Sequence, residues 1–309
     1  RVSFIGNWSY PLCSLIAMGL TPLISAEWNW RVQLLIPAIL SLIATALAWR
    51  YFPESPRWLE SRGRYQEAEK VMRSIEEGVI RQTGKPLPPV VIADDGKAPQ
   101  AVPYSALLTG VLLKRVILGS CVLIAMNVVQ YTLINWLPTI FMTQGINLKD
   151  SIVLNTMSMF GAPFGIFIAM LVMDKIPRKT MGVGLLILIA VLGYIYSLQT
   201  SMLLITLIGF FLITFVYMYV CYASAVYVPE IWPTEAKLRG SGLANAVGRI
   251  SGIAAPYAVA VLLSSYGVTG VFILLGAVSI IVAIAIATIG IETKGVSVES
   301  LSIDAVANK

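Results

Sequence analysis

The sequence contains no histidine. That absence removes every mechanism built on an imidazole base and every metal site that needs a His ligand. Charge is scarce: 12% of the 309 residues are Asp, Glu, Lys or Arg, about half of the roughly 25% in an average soluble domain. Cysteine is limited to Cys13, Cys121 and Cys221. Each lies in an apolar run, no pair has C-x-x-C spacing, and three is an odd number for a disulfide framework. They read as small apolar fillers. The chain opens at Arg1 with no basic n-region and no cleavage site, and reads as the start of a fragment rather than a signal peptide.

What is present is apolar. The hydrophobic share is 57% and the mean hydropathy +0.81, values of a membrane protein rather than a soluble globule. A bilayer core takes about 20 mostly apolar residues per helix. Eight stretches pass that test, at 2–24, 31–52, 116–141, 152–173, 181–198, 202–228, 240–263 and 268–291. The short connections between the last six predict antiparallel neighbours in an all-α bundle. A polar segment separates the second and third spans. Its first part, 63–77, carries Tyr65, Ala68, Val71, Met72 and Ile75 at helical spacing and predicts an amphipathic surface helix. Its second part, 83–103, is rich in Pro, Gly and Asp and reads as a linker.

The formal charge of +6 informs through its placement. With the long central segment in the cytoplasm, nineteen of the twenty-two Lys and Arg fall inside, leaving Arg31 and Lys149 outside and Arg249 within a span. The opposite orientation would invert the positive-inside bias. All sixteen acidic residues fall in loops or at span ends. The basic balance therefore reflects topology and not a nucleic-acid partner.

Four loop motifs at equivalent depths carry a family resemblance. Pro53-Glu54-Ser55-Pro56-Arg57-Trp58-Leu59 follows the second span, and Asp174-Lys175-Ile176-Pro177-Arg178-Lys179 joins the fourth to the fifth. Pro229-Glu230-Ile231-Trp232-Pro233-Thr234 with Arg239-Gly240 follows the sixth, and Glu292-Thr293-Lys294-Gly295 with Glu299 follows the last. Together they resemble the P-E-S-P-R-W-L, D-R-x-G-R, P-E-[FYW]-P-T-x-x-R-x-x-G and P-E-T-K-G-x-x-x-E motifs of the major facilitator superfamily, in its sugar-porter and organic-ion branch. Lys175, Pro177 and Ile291 depart from those patterns, as does Val2 from the R-G at the start of the fifth family helix. The resemblance implies a major-facilitator-like bundle in which the eight spans match family helices five to twelve. Residues 1–59 would then hold the last two helices of the N-terminal half, 60–112 the cytoplasmic amphipathic helix and linker, and 113–309 the six-helix C-terminal half with a short cytoplasmic tail.

Two residue sets follow. Glu54, Arg57, Asp174, Arg178, Glu230 and Arg239 are expected to cluster at the cytoplasmic helix ends as a gate latch, with Asp174 capping the positive N-terminus of the span near Gly240. The second set is polar or aromatic at helical spacing: Asn127, Tyr131 and Asn135 with Gln130, then Phe215, Tyr219 and Tyr222, then Asn245, Arg249 and Gly252. Such stripes on apolar helices face a bundle interior or a water-filled cavity. Arg249 lies about nine residues into its span, where a guanidinium costs roughly 2.5 to 3.5 kcal/mol unless paired or hydrated. Its planar fork suits a carboxylate, although a structural ion pair with a group elsewhere also fits. Asn245–Gly252 resembles the eleventh helix of the organic-ion branch, where an Arg is implicated in anion recognition, and Asn135-Trp136-Leu137-Pro138-Thr139 resembles bacterial organic-acid and nicotinate-type carriers.

The resulting expectation is a secondary transporter for a small organic anion, an aromatic or other monocarboxylate, working by alternating access in a bacterial inner membrane. The resemblance implies proton symport, with the proton on a group outside these spans, and a monomer when full-length. No cofactor, metal or nucleic acid is expected. A sugar or polyol porter and a non-transporting receptor on the same fold are the alternatives. An enzyme is not expected, because the spans hold no acidic pair and no nucleophile beside a base.

Overall fold

A computed structural model describes residues 29–54, 56–84, 103–233 and 236–294. The first expected span, Cys13, most of the 83–103 linker, Thr234, Gly295 and Glu299 lie outside the described residues. Every regular element among the described residues is helical, and they form two compact units.

The smaller unit holds α1, Asn29–Tyr51, an apolar helix of 23 residues, followed by α2, Pro56–Ser61, and α3, Tyr65–Thr83. Gly63, at φ 73°, ends α2, with Gly63 N donating to Glu60 O and Arg64 N to Leu59 O, the paired bonds of a left-handed helix stop. The chain then turns into α3, and Arg64 grips Glu67 through two hydrogen bonds of 2.8 and 2.6 Å. Helix α3 extends six residues past the expected 63–77 segment, to Thr83, and is capped by Gly84 at φ 64°, whose N–H bonds to Ile80 O. Tyr65, Met72, Ile75, Val79 and Ile80 are exposed along it.

The larger unit begins with a single turn, α4, Tyr104–Leu107, and the long helix α5, Gly110–Thr143. Asn147 caps the next helix: its Oδ1 accepts from Asp150 N and its amide donates to Asp150 Oδ2, both at 2.8 Å. That span runs as α6, Leu148–Met159, and α7, Gly161–Val172, with a break at Phe160. Helix α8 is Arg178–Ser197, and α9, Met202–Cys221, passes through a π-helical turn, Tyr222–Tyr227, into a final turn, α10, Val228–Glu230. The last run, α11, Lys237–Ile289, is two helices meeting at Gly267, whose φ of 66° no ordinary residue adopts cheaply. Five described helical stretches are long and apolar enough to cross a membrane. They cover the expected spans from 116 onward to within two residues at the C-terminal ends, the last two joined across Gly267.

Close backbone approach holds the centre of this unit together. A Cβ on Gly161 would lie 2.2 Å from Phe210 O, and one on Gly165 2.2 Å from Thr214 O. In a membrane, where lipid is as apolar as leucine, such glycine contacts supply the van der Waals packing that associates helices. The outward faces carry large apolar side chains, among them Ile187, Leu188, Val191, Leu203, Leu207 and Phe211, a surface suited to hydrocarbon. Gly165→Ala is expected to lower the thermal unfolding midpoint by forcing α7 from α9, at a cost of roughly 1–3 kcal/mol. Gly184→Ala, where no atom lies within 4 Å of the new Cβ, is the control and does not lower the midpoint, since an unhindered Ala favours a helix over Gly by about 0.5–1 kcal/mol.

Candidate functional site

Helix α5 and the first half of α11 pack in parallel through a ladder of small residues. Trp232 fills the lowest rung: it is fully buried, and a Cβ on Gly240 would lie 2.4 Å from its ring. One turn up, Gly119 faces Ala244, with a Gly119 Cβ placed 3.3 Å from the Ala244 Cβ. At the third rung a Gly248 Cβ would lie 2.8 Å from Leu123 Cβ and 3.0 Å from Asn127 Nδ2. At the fourth, a Gly252 Cβ would lie 3.2 Å from the Tyr131 ring. Residues 240, 244, 248 and 252 thus form one face of α11, and 119, 123, 127 and 131 the matching face of α5.

This register brings together two of the expected ligand residues. Arg249 Nη1 donates to the Tyr131 hydroxyl at 2.6 Å. Arg249 is exposed, Tyr131 half-buried and resting on Gly252. Asn245, one turn below Arg249, is exposed, and its amide donates to Ser241 O at 2.9 Å. Gln130 is half-buried and Asn135 exposed on α5. The rest of the expected pocket set is elsewhere. Asn127 is buried behind Gly248 and spends its amide on Leu123 O of its own helix at 2.7 Å. Tyr219 is buried and donates to Val122 O at 3.1 Å. Tyr222 is fully buried, with its hydroxyl where a Cβ on Gly182 would be and its ring stacked on Tyr227 at 5.0 Å. All three lie in the helix core, Asn127 against Gly248, Tyr222 against Gly182 and Tyr219 held by the Val122 carbonyl.

The second expected set is partly assembled. At the bundle end bearing the loop motifs, the buried Arg178 guanidinium forks onto Glu230, Nε to Oε2 at 3.1 Å and Nη2 to Oε1 at 3.2 Å. It also donates to Met173 O, while the exposed Asp174 carboxylate lies 3.6 Å away. Asp174 therefore pairs with Arg178 and does not cap α11, which has no side-chain cap bond. Arg239 sits 5.2 Å from the Tyr104 ring centroid, a cation–π distance. Glu54 is exposed in the smaller unit, and the Arg57 side chain lies outside the described residues.

Glu292, Thr293 and Tyr227 join the latch although the sequence did not single them out for it, the first two standing in the tail motif. Glu292 occupies the N-terminus of α8, accepting from Arg178 N at 2.8 Å and Lys179 N at 3.1 Å, as a helix dipole favours. Lys294 N donates to the same carboxylate at 3.1 Å, and Thr293 Oγ1 donates to Glu230 Oε2 at 2.5 Å. Lys294 Nζ reaches Lys175 O at 2.7 Å. The Tyr227 hydroxyl bridges Ile291, donating to its carbonyl at 3.1 Å and accepting from its N–H at 3.0 Å. The segment after the last helix is thus tied to the 174–178 loop and to the end of α9.

Partial burial would raise the Glu292 pKa, but the three backbone N–H groups and the Arg178 charge outweigh it and hold the carboxyl below its ordinary value. A carboxyl depressed in the folded state contributes stability above its unfolded pKa and loses it as pH falls through the folded one. Acidification from neutral pH to about pH 3 should therefore weaken the tail contact. Glu292→Gln is expected to lower the thermal midpoint at neutral pH and to flatten its acid dependence, read by thermal unfolding across that range.

Comparison with known proteins agrees with this architecture. The model of the Major Facilitator Superfamily matches residues 5–256. The chain is 44% identical over 304 residues to the inner membrane metabolite transport protein YdjE of Escherichia coli strain K12, covering 98% of this chain and 66% of that one. It is 25% identical over 290 residues to the niacin transporter NiaP of Acinetobacter baylyi, covering 94% and 65%. The chain thus spans just under two thirds of the length of these relatives. In three dimensions it resembles the proton:xylose symporter XylE with a TM-score of 0.62, covering 96% of this chain and 65% of that one at 21% identity, a likeness of fold. With a family model that spans most of its length, the chain belongs to the major facilitator superfamily.

Proposed function

We propose that the protein is a secondary transporter that moves a small organic monocarboxylate by alternating access, with Arg249 as the anion anchor. The observation that carries the reading is the exposed Arg249 guanidinium held by the Tyr131 hydroxyl at 2.6 Å. One N–H is spent on Tyr131, and the others present a fork for a bidentate carboxylate. Tyr131 also fixes the orientation of the fork, which lowers the ordering cost of binding. Gln130, Asn135 and Asn245 supply neutral polar contacts on the same two helices. Kinship with a protein named as a niacin transporter supports an aromatic carboxylate, and kinship with the inner membrane protein YdjE supports a bacterial inner membrane.

In this reading the motif-bearing end is cytoplasmic, and the Arg178, Glu230 and Glu292 network biases the inward-facing equilibrium, since its bonds hold one arrangement of helix ends. Coupling to a proton is part of the same proposal.

The test is uptake by the full-length protein in vesicles. Benzoate- or nicotinate-like acids compete for transport and sugars do not. Arg249→Lys keeps the charge but loses the fork, and Arg249→Ala loses both. A hydrogen bond to a charged group is worth about 1.5–3 kcal/mol, so each variant should raise KM by roughly 10- to 100-fold. Unchanged anion affinity in both variants, or competition by sugars instead of acids, overturns the reading.

A further inference from the structure

Pro256 lies inside α11, half-buried, with helical backbone on both sides of it. In a helix each N–H bonds to the carbonyl four residues earlier, and proline has no N–H. The carbonyl that loses its helix bond is therefore that of Gly252. Among the described residues no side chain donates to it. In a membrane-spanning helix a freed carbonyl is tolerated where it meets another polar group or lines a cavity.

Gly252 belongs to the Arg249 site. A Cβ on it would lie 3.2 and 3.3 Å from Cδ2 and Cε2 of Tyr131. Cε2 is two bonds from the hydroxyl oxygen that takes the Arg249 hydrogen bond at 2.6 Å. Gly252 also follows Arg249 by three residues on α11, about 4.5 Å along the axis. A helical carbonyl points along the axis toward the C-terminus, so Gly252 O faces the next turn, beyond the rung that Tyr131 occupies. Gly252 has no side chain to cover its oxygen, and the residue is half-buried rather than sealed in the core.

We propose that Gly252 O is a second binding point of this site, accepting a hydrogen bond from a hydroxyl on the substrate. The proposal rests on the reading of Arg249 as the anion anchor and narrows the substrate class to hydroxy-substituted carboxylates. The carboxylate takes the guanidinium fork, and the hydroxyl meets the carbonyl about one turn further along α11. A methyl ether of the same acid has no proton to donate and leaves the carbonyl unpaired, and a site built to bond a hydroxyl discriminates against such an analogue. Pro256 is a positioning residue: it touches no substrate and acts by keeping the acceptor free.

Competition for uptake by the full-length protein in vesicles tests this, with benzoate, meta- and para-hydroxybenzoate and the two methoxybenzoates as probes. One neutral hydrogen bond makes a hydroxybenzoate compete at roughly 3- to 10-fold lower concentration than benzoate, and its methoxy counterpart gains nothing. Pro256→Ala restores an N–H that takes up the Gly252 carbonyl, so the preference for the hydroxy acid disappears. Arg249→Ala instead weakens all the acids together. A general distortion of α11 by Pro256→Ala would shift benzoate and hydroxybenzoate alike and keep their ratio, and a preference that survives in a transporting Pro256→Ala protein overturns the proposal. Equal competition by hydroxybenzoates and benzoate in the unmodified protein overturns it whether or not the variant folds, and leaves the Arg249 anchor standing. Failure of every acid to compete overturns both.

Discussion

The approach of α11 to α5 is the constraint on which the rest of the candidate site depends. Lipid offers no hydrophobic incentive for two apolar helices to associate, so their contact must come from close packing. Ala244, Gly248 and Gly252 provide it, one per turn, against Gly119, Leu123, Asn127 and Tyr131, with Gly240 packed on the Trp232 ring one turn below. The same spacing decides which side chains face away from the seam. Arg249 follows Gly248 and so projects beside the contact, within reach of Tyr131 but not buried by it. A side chain at Gly252 would press on the Tyr131 ring and move the hydroxyl that orients the guanidinium.

At the motif-bearing end, a different physics closes the bundle. Charges are concentrated where helices stop, and they are matched to helix ends as well as to each other. Glu292 sits on the N-terminal amides of α8, while Arg178 from that same first turn reaches Glu230. The tail therefore holds a helix dipole and, through Thr293, the carboxylate that holds the arginine. Trp232 and Tyr227 join this polar layer to the apolar interior, the first as the base of the glycine ladder and the second as a bridge to the Ile291 backbone.

Much of the fold was legible in the sequence because span length and loop shortness are strong signals in a bilayer. The break at Phe160 and the π turn at Tyr222–Tyr227 were not, since both interrupt runs whose hydropathy is continuous. For the candidate site, periodicity picked out polar stripes but could not tell a cavity from a seam. Asn127 and Tyr131 share one stripe, yet Gly248 buries the first while the second emerges at Arg249. Tyr219 and Tyr222 were drawn to the pocket by the same spacing, and Gly182 and the Val122 carbonyl claim them for the interior. The role of Glu292 was hidden for another reason: a carboxylate on a helix N-terminus more than a hundred residues away leaves no local pattern.

The central claim is that an organic carboxylate is bound at Arg249 beside Tyr131. It is tested most directly by an experimental structure of the full-length protein with a nicotinate-like acid bound. Carboxylate oxygens are expected at charge-assisted hydrogen-bond distance from the Arg249 guanidinium, about 2.7–2.9 Å, with the Tyr131 hydroxyl still on the same group. A ligand seated elsewhere, with Arg249 paired to a protein carboxylate, would contradict it.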